Sequence, residues 1–173
     1  MTIALYGPTG AGKSTLAQAI QRLGEYHIIS TGEFVRKNFP NDPLVGGFSD
    51  REKQIREFVE VELKQSKVIL DGFPRHRDQL SWLISVCAER QDKLCHVFME
   101  VSREEALRRI TLRNREDVGA FHEQFTGQAL ACRALHEAID RAGDWHTHVF
   151  GPWEADRLAR WILNESVKAA ENA

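Results

Sequence analysis

Disulfide chemistry, membrane-spanning length and a one-signed surface charge are all missing from this sequence of 173 residues. Its three cysteines, Cys87, Cys95 and Cys132, form no even-numbered framework and no close metal-ligand spacing. That excludes a disulfide-stapled scaffold, and the thiols are expected to stay reduced in a cytoplasmic compartment. Apolar runs are short: MTIALYG is too brief for a secretory leader, and no segment has the length to cross a bilayer, so no membrane partner is expected. The formal net charge is only -2, and the basic residues form no stripe interleaved with aromatics. Direct nucleic-acid binding is therefore not expected, and any anion site must be local. There is no internal repeat and no low-complexity tract. What is there is ordinary globular material, 42% hydrophobic and 28% charged, enough for one domain over residues 1–173 with a core that needs no staples.

Short apolar runs alternate with helical patterns. TIALY (2–6), YHIIS (26–30), KVILD (67–71), CHVFMEV (95–101) and HTHVF (146–150) read as strands. Helices are predicted over 13–23, in a short piece at TGEFVRKN, over 49–63, 77–90 and 102–114, from about 121 to 141, and at WEADRLARWILNE. Ser49 with Glu52, and Ser102 with Glu105, have capping-box spacing. The tail VKAAENA is expected to fray. Strands one, three and four are nearly continuous apolar runs, as a sheet covered on both faces requires. The expectation is a three-layer α/β/α fold around a five-stranded parallel sheet.

The sequence GPTGAGKS occupies residues 7–14, between the first strand and the first helix. It fits the phosphate-loop pattern in the context that pattern demands. Its glycines let the backbone curl so that several N–H groups face one anion, and the next helix adds its positive end. Lys13 can reach the outer phosphates of a nucleotide, and the Ser14 hydroxyl can ligate Mg²⁺. By average residue usage, a chance match in a chain of this length is on the order of one in a few hundred. Asp71 closes the strand KVILD, where a second carboxylate positioning magnesium is expected.

GPTGAGKST, ISTGEFVR at 29–36 and DGFPR at 71–75, in this order and spacing, resemble the nucleoside monophosphate kinases of the adenylate kinase type. The resemblance runs from Thr2 to about Arg113. It implies a P-loop kinase moving the γ-phosphoryl of ATP, with Mg²⁺, onto the phosphate of a ribo- or deoxyribonucleoside monophosphate. It places ATP on Gly7, Pro8, Thr9, Gly10, Ala11, Gly12, Lys13, Ser14 and Thr15, with Arg109 nearby. It places the acceptor on Thr31, Glu33, Arg36, Gly72, Phe73, Arg75 and Gln79, with Thr31 and Gln79 at its base. Residues 31–66 become a monophosphate-binding flap with Gly46 and Gly47 as its hinge. Residues 113–127 become a short lid whose Arg113 and Arg115 act with Lys13 and Arg75 on the transferring group. A monomer is implied, as is an adenine pocket near Gly151 and Pro152. The lid departs from the family: Asn114 and Gln124 stand where arginines belong, with Arg133 a distant substitute. It also lacks a four-cysteine insert, so no structural metal is expected.

The chemistry agrees with that resemblance. An acceptor phosphate is already anionic, so no general base is needed, only cations to hold two mutually repelling groups together. Two other readings stay open. A kinase acting on a hydroxyl would need a carboxylate base, for which Glu33 is the candidate and Asp71 a second. A nucleotide-binding switch without turnover would keep the loop alone. His146 and His148 face one side of a strand, but no third ligand stands out, so they read as two satisfied histidines. Trp153 and Trp161, eight apart, read as core contacts.

Overall fold

The computed structural model describes residues 1–39, 50–112, 121–142, 145–150 and 153–171. Five strands form one sheet: β1 (Thr2–Tyr6), β2 (His27–Ser30), β3 (Val68–Asp71), β4 (Leu94–Met99) and β5 (His146–Val149). Their order is β2-β3-β1-β4-β5 and every pairing is parallel. Seven helices are seen among the described residues: α1 (Lys13–Leu23), α2 (Thr31–Asn38), α3 (Asp50–Glu62), α4 (Arg77–Glu89), α5 (Arg103–Leu112), α6 (Phe121–Ala142) and α7 (Ala155–Glu171). This is the expected three-layer architecture.

Side-chain alternation along the central strand divides the core. Ile3 and Leu5 face α1 and α7, in a cluster with Leu16, Ile20, Val97 and Ile162. Ala4 and Tyr6 face the other way, toward Leu70, Phe73, Leu83 and the α6 residues Leu135 and Ile139. Burying each large aliphatic side chain is worth about 1.5–3 kcal/mol, so both faces of β1 must stay covered. β2 and β5 lie at the edges and carry His27, Ser30, His146 and His148, polar residues that an edge strand accommodates readily.

The chain leaves β1 toward one edge of the sheet and leaves β4 toward the other. The crevice between those two exits, at the strands' carboxyl ends, is where this class of sheet holds ligands. The loop after β1 opens there.

Several expected limits move. β4 ends at Met99, two residues early, because Ser102 turns the chain and caps α5 by accepting from the Glu105 N–H at 3.2 Å. α7 continues to Glu171, so the expected frayed tail is helical over most of its length. Trp161 is 45% exposed rather than a core contact, whereas Trp153 packs on the core just ahead of the helix. Ser49, Gly46, Gly47, Gly151 and Pro152 lie outside the described residues. No described helix is long and apolar enough to cross a membrane.

Candidate active site

β1 delivers the chain to Gly7, and α1 begins at Lys13. In between, the loop folds onto itself, with the Ala11 N–H donating to the Pro8 carbonyl at 3.1 Å while the Ala11 side chain is buried. Two of the loop's three positive-φ glycines show why the residue is needed here. Gly10 has φ +81°, and a Cβ would lie 2.8 Å from the Ala106 carbonyl oxygen and 2.9 Å from its Cα. Gly12 has φ +98°, and a Cβ would press on the Trp153 ring at 2.8 Å. α1 has no side-chain cap and no acidic residue in its first turn. Its opening amides and the positive end of its dipole are therefore presented to an anion. The Lys13 ammonium donates to the carbonyls of Gly7 at 2.7 Å and Pro8 at 3.0 Å.

Parallel pairing sets Asp71 beside Leu5, at the end of β3 next to the loop. There the Ser14 hydroxyl donates to Asp71 Oδ2 at 2.6 Å, and Asp71 is only 7% exposed. A hydroxyl and a buried carboxylate meeting at one point are hard oxygen donors, the type magnesium prefers. The donor set fits a magnesium–nucleoside triphosphate.

The far wall comes from α2 and from the turn after β3. Ser30 caps α2 by accepting from the Glu33 N–H at 3.3 Å, which projects Glu33 and Arg36 from exposed positions. Arg75 anchors its Nε on the Gly72 carbonyl at 2.9 Å. Arg36, Arg75, Glu33 and Gly72 line the same cavity of about 340 Å³ as Lys13, Ser14, Thr15 and Asp71. Arg75 is open to this cavity yet walled by protein. That desolvation pushes its pKa down against the pull of Asp71, and the neighbouring Arg51 and Arg36 push it further down. Two guanidinium groups, Arg36 and Arg75, repelling one another on the wall of one cavity form a site prepared for an anion.

The remaining expected acceptor residues are tied to the protein in this conformation. Thr31 is buried and its hydroxyl donates to the Gly72 carbonyl at 2.8 Å. Phe73 is core, packed edge-on to Trp82. Gln79 is buried, accepting from the Arg75 N–H at 2.6 Å and donating to Glu52 at 2.8 Å. Glu52 also accepts from Arg56 at 3.0 Å. Burial alone would raise its carboxyl, but the hydrogen bonds from Arg56 and Gln79, with His76 near, bring it below the usual range.

α6 closes the cavity's other side, and α5 packs against the loop. Arg109 donates to Glu105 at 2.7 Å and reaches the loop carbonyls of Gly10 at 3.2 Å and Ala11 at 3.4 Å. Arg108 binds the same carboxylate, and hydrogen bonds from Arg108 and then Arg109 bring the Glu105 pKa down to about 2. Gln124 and Gln128, one helical turn apart on α6, face the cavity, and Gln128 Oε1 accepts from the Thr9 N–H at 2.6 Å. Sequence reasoning singled out Gln124 but missed Gln128, although the four-residue spacing puts both on one helix face. It also missed Arg51 and Glu52. Arg113 and Arg115 lie outside the described residues. Arg133 lines a different cavity, together with Gly7 and Pro8.

A phosphate loop, an uncapped helix start, a magnesium-type oxygen pair and facing arginines in one cavity define a P-loop kinase, an ATP-dependent phosphotransferase. Residues 6–120 match the family described as an AAA domain. An adenylate kinase of Mycolicibacterium smegmatis is 34% identical over 131 residues, which cover 68% of this chain and 72% of that protein. One of Pelagibacter ubique is 34% identical over 126 residues, covering 64% of this chain and 58% of that protein. A solved gluconokinase from Sinorhizobium meliloti superposes with a TM-score of 0.67 at 19% identity, covering 99% of this chain and 94% of that one, and so shares the fold. The chain belongs to the adenylate-kinase-type family of P-loop proteins.

Proposed function

We propose that the protein transfers the γ-phosphoryl group of ATP, with Mg²⁺, to the phosphate of a nucleoside or deoxynucleoside monophosphate. One observation supports this reading: a single cavity of about 340 Å³ is lined both by the phosphate loop with Lys13 and by the arginines Arg36 and Arg75. At one end the loop amides and Lys13 hold a triphosphate, with Ser14 and Asp71 offering oxygens to magnesium. At the other, Arg36 and Arg75 grip the acceptor's phosphate, and the mutual repulsion of two phosphates is offset by fixed positive charge rather than by a base. Bound ATP supplies the phosphoryl group. Arg109 secures the loop, and Arg113 and Arg115, immediately beyond α5, supply the lid's charge. Residues 31–66 form the acceptor flap and 113–127 the lid. The adenylate kinase relatives support this substrate class. A panel of ribo- and deoxyribonucleoside monophosphates, with ADP formation as readout, tests it. Stimulation by at least one monophosphate, abolished by Lys13→Ala, is expected. No stimulation by any of them overturns it.

A second reading rests on Glu33, an exposed carboxylate lining the same cavity. With it as general base, the acceptor would be a hydroxyl. Glu33→Gln separates the two: a hydroxyl kinase loses about 10²–10⁴ in kcat, whereas a monophosphate kinase retains kcat within a few-fold. ATP binding with no transfer to either class would mark a switch without turnover.

A further inference from the structure

Behind the phosphate loop, three imidazoles converge. His146 and His148 alternate along β5 and share a face. The third ligand that the sequence does not reveal is His136, from α6. One ring nitrogen from each of the three lies within 4.8 Å of the other two. His136 Nε2 and His146 Nε2 are 3.3 Å apart. An ordinary hydrogen bond would explain that pair. It does not explain a third ring whose centroid lies 4.4 Å from His136 and 5.9 Å from His146.

We propose that His136, His146 and His148 form a binding site for a late first-row divalent ion, with zinc as its natural probe. Zinc–nitrogen bonds of 2.0–2.1 Å at tetrahedral angles give an N···N edge of about 3.3 Å, the separation of the closest pair. The surroundings have the form of an imidazole metal site. Glu100 Oε1 lies 3.2 Å from His148 Nδ1, the carboxylate–imidazole contact that fixes a ligand ring's orientation. Asp140 Oδ1 lies 3.9 Å from His146 Nε2 and adds a second carboxylate against a dication. Phe98 stacks on His148 and meets His136 edge-on, which confines both rings. A fourth imidazole, His96, pairs in register with His146 and is fully buried, and its Nε2 has no hydrogen-bond partner among the described residues.

His136 and His148 line a cavity of about 280 Å³ that also touches Gly7, Pro8 and Arg133. Three protein ligands would leave a fourth position for water or another donor. The ion would clamp α6 to β5, and α6 carries the Gln128 that holds the Thr9 amide. The site is independent of which acceptor the kinase uses.

The test uses the untagged full chain freed of metal with a chelator. Titration calorimetry with zinc is expected to give one ion per chain at micromolar or tighter Kd, with a rise in Tm. The double variant His136→Gln/His148→Gln should weaken binding at least tenfold, while His122→Gln, on the same helix but outside the cluster, should not. In unmodified protein, side-chain nitrogen NMR needs no variant to fold: zinc should shift His136, His146 and His148 and leave His27 and His122 in place. Absence of stoichiometric binding, binding that survives the double variant, or shifts at His27 or His122 instead would overturn the proposal.

Discussion

One methyl group added at two glycines should move this protein in opposite directions. At Gly10 the backbone has φ +81°, where an L residue costs about 1–2 kcal/mol. The new Cβ would also meet the main chain of Ala106 at 2.8–2.9 Å, which cannot rotate away as a side-chain tip would. Overlap of that kind adds about 1–3 kcal/mol. With roughly 2–4 °C per kcal/mol for a chain of this size, Gly10→Ala should lower Tm by roughly 4–20 °C. Relief by shifting the loop off α5 would move the phosphate-binding amides, so ATP affinity should fall as well. Gly127 lies inside α6 on an exposed face, and a Cβ there would meet nothing within 4 Å. Alanine there removes the helix cost of glycine, about 1 kcal/mol, so Gly127→Ala should raise Tm by roughly 2–4 °C and leave ATP affinity unchanged. Thermal denaturation by circular dichroism and calorimetric titration with Mg–ATP measure both. If Gly10→Ala kept wild-type Tm and ATP affinity, the packing of the loop against α5 would not be what fixes its shape. If both variants shifted Tm the same way, the assignment of φ and free space would be refuted.

Three further outcomes follow from single contacts. Lys13→Ala removes charge-assisted bonds worth about 1.5–3 kcal/mol, so its Kd for Mg–ATP should rise by roughly 10–100-fold by calorimetry, and unchanged affinity would remove Lys13 from the site. Gln128→Ala frees the Thr9 N–H from a competing acceptor. Loss of about 1 kcal/mol of competition should tighten ATP binding by about five-fold, whereas weaker binding would show that Gln128 holds the ligand rather than its place. The Glu52 carboxyl is depressed below its ordinary value of 4.5 in the folded state. Its stabilisation is therefore complete above that value and is lost as pH falls through the lowered pKa. Urea unfolding between pH 6 and 3 should show a shallower acid loss in Glu52→Gln than in wild type, and identical slopes would dismiss the Arg56–Glu52–Gln79 network as a stabiliser.

Features written in consecutive residues could be read directly. The strand–loop–helix unit from Thr2 to Leu23, the alternation that implies a parallel sheet and the position of Asp71 at the end of its strand follow from short apolar runs, glycine placement and DGFPR, each a local signal. Features set by how elements rotate against one another could not. Gln128 reaches Thr9 across 119 residues, and its direction depends on the azimuth of α6 on the sheet. The same azimuth brings His136 beside β5, which is why two histidines were visible and three were not. Glu52 looked like a capping residue, and its partner Gln79 is met only because the start of α3 lies over α4. Trp161 misled because α7 begins at Ala155, so the eight-residue spacing from Trp153 is not a repeat within one helix. The wider acceptor set is a partial case: Arg36 and Arg75 face the cavity, but Thr31 and Gln79 are already bonded to the protein.

The contact between Gly12 and the Trp153 ring gives the molecule an optical gauge of its own. An indole resting against the loop reports any rearrangement of that backbone through its emission. Replacing Trp82, Trp145 and Trp161 by phenylalanine would leave a single fluorophore there, so that nucleotide occupancy could be followed in real time with neither a labelled ligand nor a coupled enzyme.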